Sequence, residues 1–328
     1  MTNIFLIILI FLYNLLLFSN LSYFSKIINL YDYPNNKRKI HTSPTPCIGG
    51  VFLMANLSLL LIINLYYEVF VFDFIALFLF SIFIFFIAFI DDKFDIQPSK
   101  KFFLLGLVVF LFLFFNQDIL ISRIIFDFYY FDFENTYLKY FISWLCIMLF
   151  LNALNLYDGA NGQLPTYIIF VLIFFIFENI FIFFSITILI PVVFFLYYNL
   201  KGKIFFGDNG SFLVAFLISY IIIKNNLTPN YIIGEKIFLL MLLPGVDMFR
   251  LFIERLANKK NPFIADNFHI HHLMRSKFST RKRIIFNILF YCIPLFLSYN
   301  FNNLTLAIIL IFSYLIFVYK YLGHQLKR

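Results

Sequence analysis

The chain has 328 residues, of which 62% are apolar, 13% are charged and 52 are phenylalanine. Soluble domains are about 45–50% apolar and about 25% charged, so a soluble fold of this composition would expose large hydrocarbon patches and aggregate. The high apolar content also excludes intrinsic disorder. An integral membrane protein with many spans remains. Its net charge of +8 must be interpreted by location, because basic residues gather in cytoplasmic loops.

Apolar runs along the chain predict an all-α, polytopic membrane protein with about eleven transmembrane helices. Each run approaches the roughly 20 apolar residues that a span requires, and no strand-like alternation competes with the helical pattern. The boundary at 178–179 is the least defined, and fusing the two spans there would leave ten. The predicted spans are about 3–22, 47–67, 70–90, 102–116, 137–154, 163–178, 180–198, 211–224, 236–256, 284–300 and 303–321.

The basic residues set the predicted orientation. If the loop after the first span, with Lys26 and the basic run 37–39, is cytoplasmic, eleven spans place the N-terminus outside and the C-terminus inside. Four of the 25 basic residues then lie outside, namely Arg123, Lys139, Lys224 and Lys236. This asymmetry predicts a multi-pass protein of the inner (plasma) membrane. The inner acidic residues are nearly all aspartates near span ends, and such residues are usually functional. We therefore expect the active site at the cytoplasmic face.

The third predicted span ends in three aspartates, Asp91, Asp92 and Asp95, with Lys93 among them. Adjacent carboxylates repel each other, so this cluster favours a divalent cation or a basic partner. A solvated helix end with Lys93 as the partner is the alternative, and it needs no function.

The fifth predicted span ends in amides, a carboxylate and glycines over residues 152–162. Asn152 and Asn155 are three residues apart and would share a helix face, while Gly159 and Gly162 permit bends and close approach of a ligand. A helix C-cap followed by a turn would explain Gly159. It does not explain two amides inside an apolar helix, so the segment is a candidate binding site.

A Gly-Asp-Asn-Gly-Ser run at 207–211 precedes the eighth predicted span. It is consistent with a turn in which Ser211 caps the helix. The same residues would offer amides and the Asp208 carboxylate to a complex of phosphate and metal. This motif alone supports the two interpretations equally.

The ninth predicted span contains Asp247 and Arg250, which are three residues apart and are expected to pair within the helix. Three histidines between 269 and 272 lie in the longest predicted cytoplasmic loop. A histidine cluster is typical of a transition-metal site, but the flanking lysines and arginines favour an anion such as phosphate over zinc. The proline-rich basic segment 32–50 is explained as an ordinary cytoplasmic loop.

Taken in order, these motifs resemble the polyprenyl-phosphate N-acetylhexosamine-1-phosphate transferases of bacteria, glycosyltransferase family 4. The resemblance runs from Asp32 to about Arg275 and covers most of the chain. The His-x-His-His form is closer to the undecaprenyl-phosphate GlcNAc-1-phosphate transferase branch than to the related phospho-MurNAc-pentapeptide translocase, which carries three consecutive histidines. The matching motifs are Asp-Asp-x-x-Asp at 91–95, Asn-x-x-Asn-x-x-Asp-Gly at 152–159, Gly-Asp-x-Gly-Ser at 207–211, Pro-x-x-Asp at 244–247, Pro-Phe at 262–263, Asp266, and His-x-His-His at 269–272.

The resemblance implies transfer of a sugar 1-phosphate, with N-acetylglucosamine 1-phosphate as the default, from a UDP-sugar to undecaprenyl (polyprenyl) phosphate with release of UMP. It implies a single transmembrane transferase domain over 1–328, Mg²⁺ as the cofactor with Mn²⁺ as a substitute, and a role in starting a lipid-linked cell-surface glycan such as a cell-wall polymer or lipopolysaccharide O-antigen. Both reactants are anionic, so charge must be neutralised before a phosphate oxygen approaches phosphorus. We expect no nucleic-acid partner, and a homodimer is left open.

The resemblance also assigns residues. The catalytic set is Asp91, Asp92, Asp158 and Asp208, in which Asp208 and Asp92 would meet the metal and Asp91 is a candidate base. A phosphate monoester is largely ionised at neutral pH, so that base is not chemically required. The substrate-binding set is Lys101, Asn152, Asn155, Asn161, Asn199, Phe205, His269, His271 and His272, in which Phe205 would stack on uracil. Asn161 replaces an aspartate that many members carry, which argues against a metal role at that position.

Two other classes of protein are compatible with parts of the pattern. A Mg²⁺-dependent membrane prenyltransferase would need two comparable aspartate-rich motifs, whereas this chain has one such motif and a histidine-rich loop. A non-enzymatic lipid or solute transporter would carry charged residues near mid-membrane and inverted repeats, whereas the acidic residues are predicted at one face. The identity of the sugar and the glycan pathway stay open.

Overall fold

The computed structural model describes residues 2–34, 43–70, 73–228, 231–259, 268–275 and 277–323. The basic run 37–39 and the motif residues Pro262, Phe263 and Asp266 lie outside the described residues. The helices are α1 (Thr2–Ser19), α2 (Leu21–Ile28), α3 (Gly49–Tyr67), α4 (Phe74–Phe94), α5 (Pro98–Phe115), α6 (Thr136–Tyr157), α7 (Gln163–Phe177), α8 (Ile182–Leu200), α9 (Gly207–Asn225), α10 (Gly234–Leu240), α11 (Leu242–Ala257), α12 (Ile270–Arg275), α13 (Thr280–Leu297) and α14 (Asn303–Ile316). The strands are β1 (Tyr31–Asp32), β2 (Thr45–Pro46), β3 (Arg123–Ile125) and β4 (Tyr130–Asp132).

Helices occupy each of the eleven segments that the hydropathy pattern singles out. Within the described residues, seven helices are long and apolar enough to cross a membrane, or eight if α1 and α2, bent by 68°, form one span. The other segments are shorter or more charged: α7 has 15 residues, Met241 separates α10 from α11, and α13 begins with a basic run. The chain is therefore a nearly all-α membrane bundle, and eleven crossings are not confirmed.

The helix α9 lies at the centre of the bundle, where it packs against α3, α4 and α6. In its apolar window 83% of the residues are buried, compared with 28% in α5 and 22% in the segment Asn303–Tyr321 that begins with α14. Large apolar side chains such as Phe115 and Ile309 remain exposed on those outer helices, which suits a lipid environment because lipid tails are as apolar as the side chains. The N-terminal residues of α9 are consequently surrounded by other helices.

Two short antiparallel ribbons depart from the purely helical prediction. β1 pairs with β2, and β3 pairs with β4. Both ribbons form in polar segments between helices, where backbone groups need hydrogen-bond partners outside a helix. The first ribbon also supports the site, because the backbone N–H of Phe205 donates to the carbonyl of Pro46 over 2.8 Å.

Candidate active site

Asp92, on α4, holds the N-terminus of α9. Its carboxylate accepts hydrogen bonds from the backbone N–H groups of Asp208 and Asn209, each over 2.9 Å. These N–H groups have no partner within their own helix, and a carboxylate satisfies them well. Gly207, with φ of +72°, makes this approach feasible, because a Cβ there would lie 2.8 Å from Asp92 Oδ2. The alternative in which Ser211 caps the helix is wrong, since α9 begins at Gly207.

Lys101 connects two carboxylates beside this helix end. Its Nζ lies 2.7 Å from Asp91 Oδ2 and 2.6 Å from Asp208 Oδ2. The side-chain amide of Asn155 donates to the other oxygen of Asp208 over 3.0 Å and to Ser211 Oγ over 2.9 Å. The helices α4, α5, α6 and α9 therefore converge on one carboxylate, Asp208.

A cavity of about 710 Å³ opens beside Asp208. Asp92 and Asp158 also border it. The pKa of Asp158, which lies just beyond the end of α6, is raised to about 8, because burial disfavours its charged form and because the carboxylates of Asp208 and Asp92 are close. A cation bound at this wall would favour the charged forms of these neighbouring acidic groups.

Eight of the thirteen predicted site residues border the cavity. They are Asp92, Asn155, Asp158, Asn161, Asn199, Phe205, Asp208 and His272. Asp91 and Lys101 reach it only through their contacts with Asp208. Asn152 does not join its predicted partner Asn155 at the site, because its amide donates to the Met148 carbonyl of its own helix over 2.7 Å.

Asn199 connects two loops of the site. Only 5% exposed, it accepts a hydrogen bond from the backbone N–H of Gly162 over 2.6 Å and donates to the Ile204 carbonyl over 2.9 Å. The loop that carries Asp158 is thereby fixed to the segment that carries Phe205. Asn199 borders the cavity, but both ends of its amide are already used by the backbone.

The three histidines have three different environments. His269 Nδ1 lies 2.9 Å from Asp247 Oδ2, and His272 borders the cavity. The ring of His271 lies against Gly159, where a Cβ would come within 1.8 Å of its Nε2. Burial lowers the pKa of His271 well below its usual value, and His272 and His269 lower it further, which favours the neutral form of the ring. Among the described residues, no group of three or more His, Cys, Asp or Glu side chains is arranged to hold a metal ion.

The predicted pairing of Asp247 with Arg250 is confirmed at 2.8 Å. The Tyr314 hydroxyl, on α14, donates to the same Asp247 oxygen over 2.6 Å, and a second guanidinium nitrogen of Arg250 lies 2.8 Å from Glu254. This network is buried and borders no part of the cavity described above. It holds α11, α14 and the histidine segment together.

Part of the cavity wall was not predicted from the sequence. Tyr31 and Asp32 of β1 border the cavity, as do Thr280 and Arg283 at the start of α13. The interpretation of 32–50 as an ordinary loop overlooked this contribution. In the basic run 281–283 no sequence signal distinguishes the residue that faces the cavity from those that face outward.

The chain is similar in sequence to known proteins over most of its length. Residues 74–226, which run from α4 through α9, match the profile of Glycosyl transferase family 4. Over 310 residues the chain is 27% identical to the undecaprenyl-phosphate alpha-N-acetylglucosaminyl 1-phosphate transferase of Thermotoga maritima, covering 90% of this chain and 92% of that protein. Proteins of the same name from Escherichia coli K12 and Salmonella typhi are 27% identical over 275 residues and 23% identical over 272 residues. They cover 80% and 79% of this chain, and 73% and 72% of their own lengths.

The fold is that of a multi-pass membrane protein with a polar cavity inside the helix bundle. The match to this family over residues 74–226 and the similarity to these relatives support the assignment of the chain as a glycosyl-1-phosphate transferase enzyme.

Proposed function

We propose that the enzyme transfers an N-acetylhexosamine 1-phosphate, with N-acetylglucosamine as the default sugar, from a UDP-sugar to undecaprenyl phosphate. The observation that carries this proposal is the cavity beside the N-terminus of α9. It brings together residues from the 91–95, 152–162, 207–211 and 269–272 motifs. The names of the relatives supply the lipid acceptor and the transferred group.

The reaction needs one bond to form and one to break. A phosphate oxygen of the lipid attacks the phosphorus that carries the sugar, and the bond from that phosphorus to the bridging oxygen breaks, so that UMP leaves. The lipid phosphate is largely ionised at neutral pH, and no proton has to be removed from it. Both oxygens of Asp91 accept hydrogen bonds, from Lys101 and from the Ile96 N–H. We therefore assign Asp91 to positioning Lys101 rather than to the role of base.

Mg²⁺ fits the donor set of the cavity wall. This ion is commonly bound by one or two carboxylates together with substrate phosphates, so a preformed cage of protein ligands is not required. Asp208, which accepts two hydrogen bonds, would hold the ion with Asp158 beside it, whereas Asp92 already accepts three hydrogen bonds from Asp208 and Asn209 at the N-terminus of α9. When bound, Mg²⁺ neutralises phosphate charge and polarises the phosphoryl oxygen.

We place the cavity at the cytoplasmic face of the inner membrane, because the nucleotide sugar is cytosolic and basic residues concentrate on that side. The N-terminus would then be outside and the C-terminus inside. A reporter fused after residue 328 should give a cytoplasmic signal, and a periplasmic signal would contradict this orientation.

The test is release of UMP by purified protein with undecaprenyl phosphate and Mg²⁺ across a panel of UDP-sugars. We expect UMP only when both substrates are present, and fastest with a UDP-N-acetylhexosamine. Binding of UDP-sugar without UMP release would favour a transporter. Release of diphosphate from a prenyl diphosphate would favour a prenyltransferase. Either result would overturn the proposal.

A further inference from the structure

We propose that Arg283, assisted by Arg275, forms an anion-binding subsite that holds a phosphate of the nucleotide donor. The inference rests on the proposed function and names a residue outside its motifs. Both guanidinium groups border the same cavity as Asp208, on α13 and α12 respectively.

The guanidinium of Arg283 lacks a charged partner within the described structure. One of its terminal nitrogens donates to Thr280 Oγ1 over 3.1 Å, while its buried Nε has no hydrogen-bond partner. Neither Arg283 nor Arg275 lies within ion-pair distance of a described carboxylate. A buried donor without a partner is costly, and a ligand that accepts from it removes that cost.

Arg250 shows what the fold provides when an arginine is structural. Two of its nitrogens each lie 2.8 Å from a carboxylate, in Asp247 and Glu254, and a third contact goes to the Phe268 carbonyl over 2.7 Å. Arg283 has no comparable set of partners among the described residues, although its helix α13 contacts α11, which carries Arg250. Within the described part of the chain, Arg283 thus keeps guanidinium donors that a bound anion can use.

The start of α13 is fixed against the loop that carries Asp158. A Cβ on Gly162, with φ of +79°, would come within 2.9 Å of the side chain of Ile284, the residue after Arg283. The cavity is therefore bordered by the carboxylates Asp92, Asp158 and Asp208 and by two arginines, of which Arg283 is on the packed helix α13. A ligand with one metal-bound phosphate and a further phosphate matches this combination of charges.

A phosphate suits the arginine side because a guanidinium presents several N–H groups in a planar fork to phosphate oxygens. The donor is favoured over the lipid because Arg275 is exposed and the neighbouring lining consists of loop residues Gly159, Ala160 and Asn161. This side of the cavity is open to a soluble nucleotide.

The test compares Arg283→Gln with Arg281→Gln, a matched loss of charge at an exposed position two residues earlier. The KM for the UDP-sugar should rise about 10- to 100-fold in Arg283→Gln, while the KM for undecaprenyl phosphate stays within about twofold. Arg283→Lys should recover part of the loss, and Arg281→Gln should match the parent protein. Equal kinetics in the two glutamine variants, or a rise confined to the lipid KM, would overturn the inference.

Calorimetric titration of UDP into each detergent-purified variant tests the subsite without turnover. The Arg283→Gln protein should bind UDP more weakly than Arg281→Gln at unchanged melting temperature. Equal affinity would overturn the inference even if the enzyme is active. If the parent protein binds UDP in an Arg283-dependent way but releases no UMP, the proposed function fails and the subsite stands.

Discussion

Two charged networks lie inside the bundle, and they differ in what they face. Lys101 joins Asp91 and Asp208, whose side chains are 8% and 30% exposed, and Asp208 opens onto the cavity. Arg250 joins Asp247 and Glu254, and the Arg250–Asp247 pair is at most 3% exposed. The first network has a carboxylate available to a ligand, while the second is satisfied by the protein alone. A buried ion pair by itself therefore does not identify a site; its access to the cavity does.

The substitution Asp208→Asn tests the difference between the two networks most strongly. The amide keeps the shape but removes the charge that would hold Mg²⁺, so UMP release should fall about 10³-fold with little change in melting temperature. Asp118→Asn, an exposed carboxylate paired with Lys224, is the control and should retain activity. Activity near the parent level in Asp208→Asn at ordinary Mg²⁺ would contradict the assignment.

Removal of divalent metal ions is a second test of the role of Asp208. Chelation of divalent ions should abolish UMP release from the parent protein, and added Mg²⁺ should restore it, because the acidic wall and the substrate phosphates repel each other without a cation. Full activity in the presence of excess chelator would show that Lys101 and the arginines neutralise the phosphates without a divalent ion.

Lys101→Met should reduce kcat about 10²-fold, since it removes the only described cation in contact with Asp91 and Asp208. The apparent melting temperature should fall less than in Asp247→Asn, because Asp208 borders the cavity and can be hydrated. A large loss of stability with normal kcat in the folded fraction would show that the Lys101 network is structural, like the Arg250 network.

Asp247→Asn should give the opposite result. It leaves Arg250 and the Tyr314 hydroxyl without their buried charge partner, which is expected to cost about 3–5 kcal/mol of stability. Thermal melting in detergent should reveal the loss, while the folded fraction keeps kcat within about fivefold of the parent. Normal melting with lost turnover would mean that this network belongs to the chemistry.

Asn161→Asp is expected to have the smallest effect. It adds a fifth carboxylate to a cavity already bordered by Asp32, Asp92, Asp158 and Asp208, so the KM for the anionic donor should rise about threefold. Asn300→Asp, the same change at an exposed position, should leave the KM unchanged. A lower KM in Asn161→Asp would indicate that position 161 recruits the cation.

Sequence periodicity predicted the helices well, because a membrane span must be long and apolar to satisfy its backbone. It did not establish the number of membrane crossings, since α7 is short and Met241 divides the ninth predicted span. Within the site, helix geometry alone could not separate Asn155, which reaches Asp208, from Asn152, which bonds to its own helix.

Long-range contacts account for what the sequence could not predict. Asp92 acts on a helix end 116 residues away, and Tyr314 reaches Asp247 across 67 residues. Local spacing carries no information on such partners. The position of Arg283 at the cavity could not be predicted from the sequence either, because three consecutive basic residues are explained equally well by the charge bias of cytoplasmic loops.

The most direct test of the central claim uses UDP-N-acetylglucosamine labelled with ³²P on the phosphorus attached to the sugar. Incubation with purified protein, undecaprenyl phosphate and Mg²⁺ should move the label into the lipid fraction and release unlabelled UMP. Retention of the label in soluble UDP, with only the sugar in the lipid, would contradict phosphoryl transfer at the Asp208 cavity.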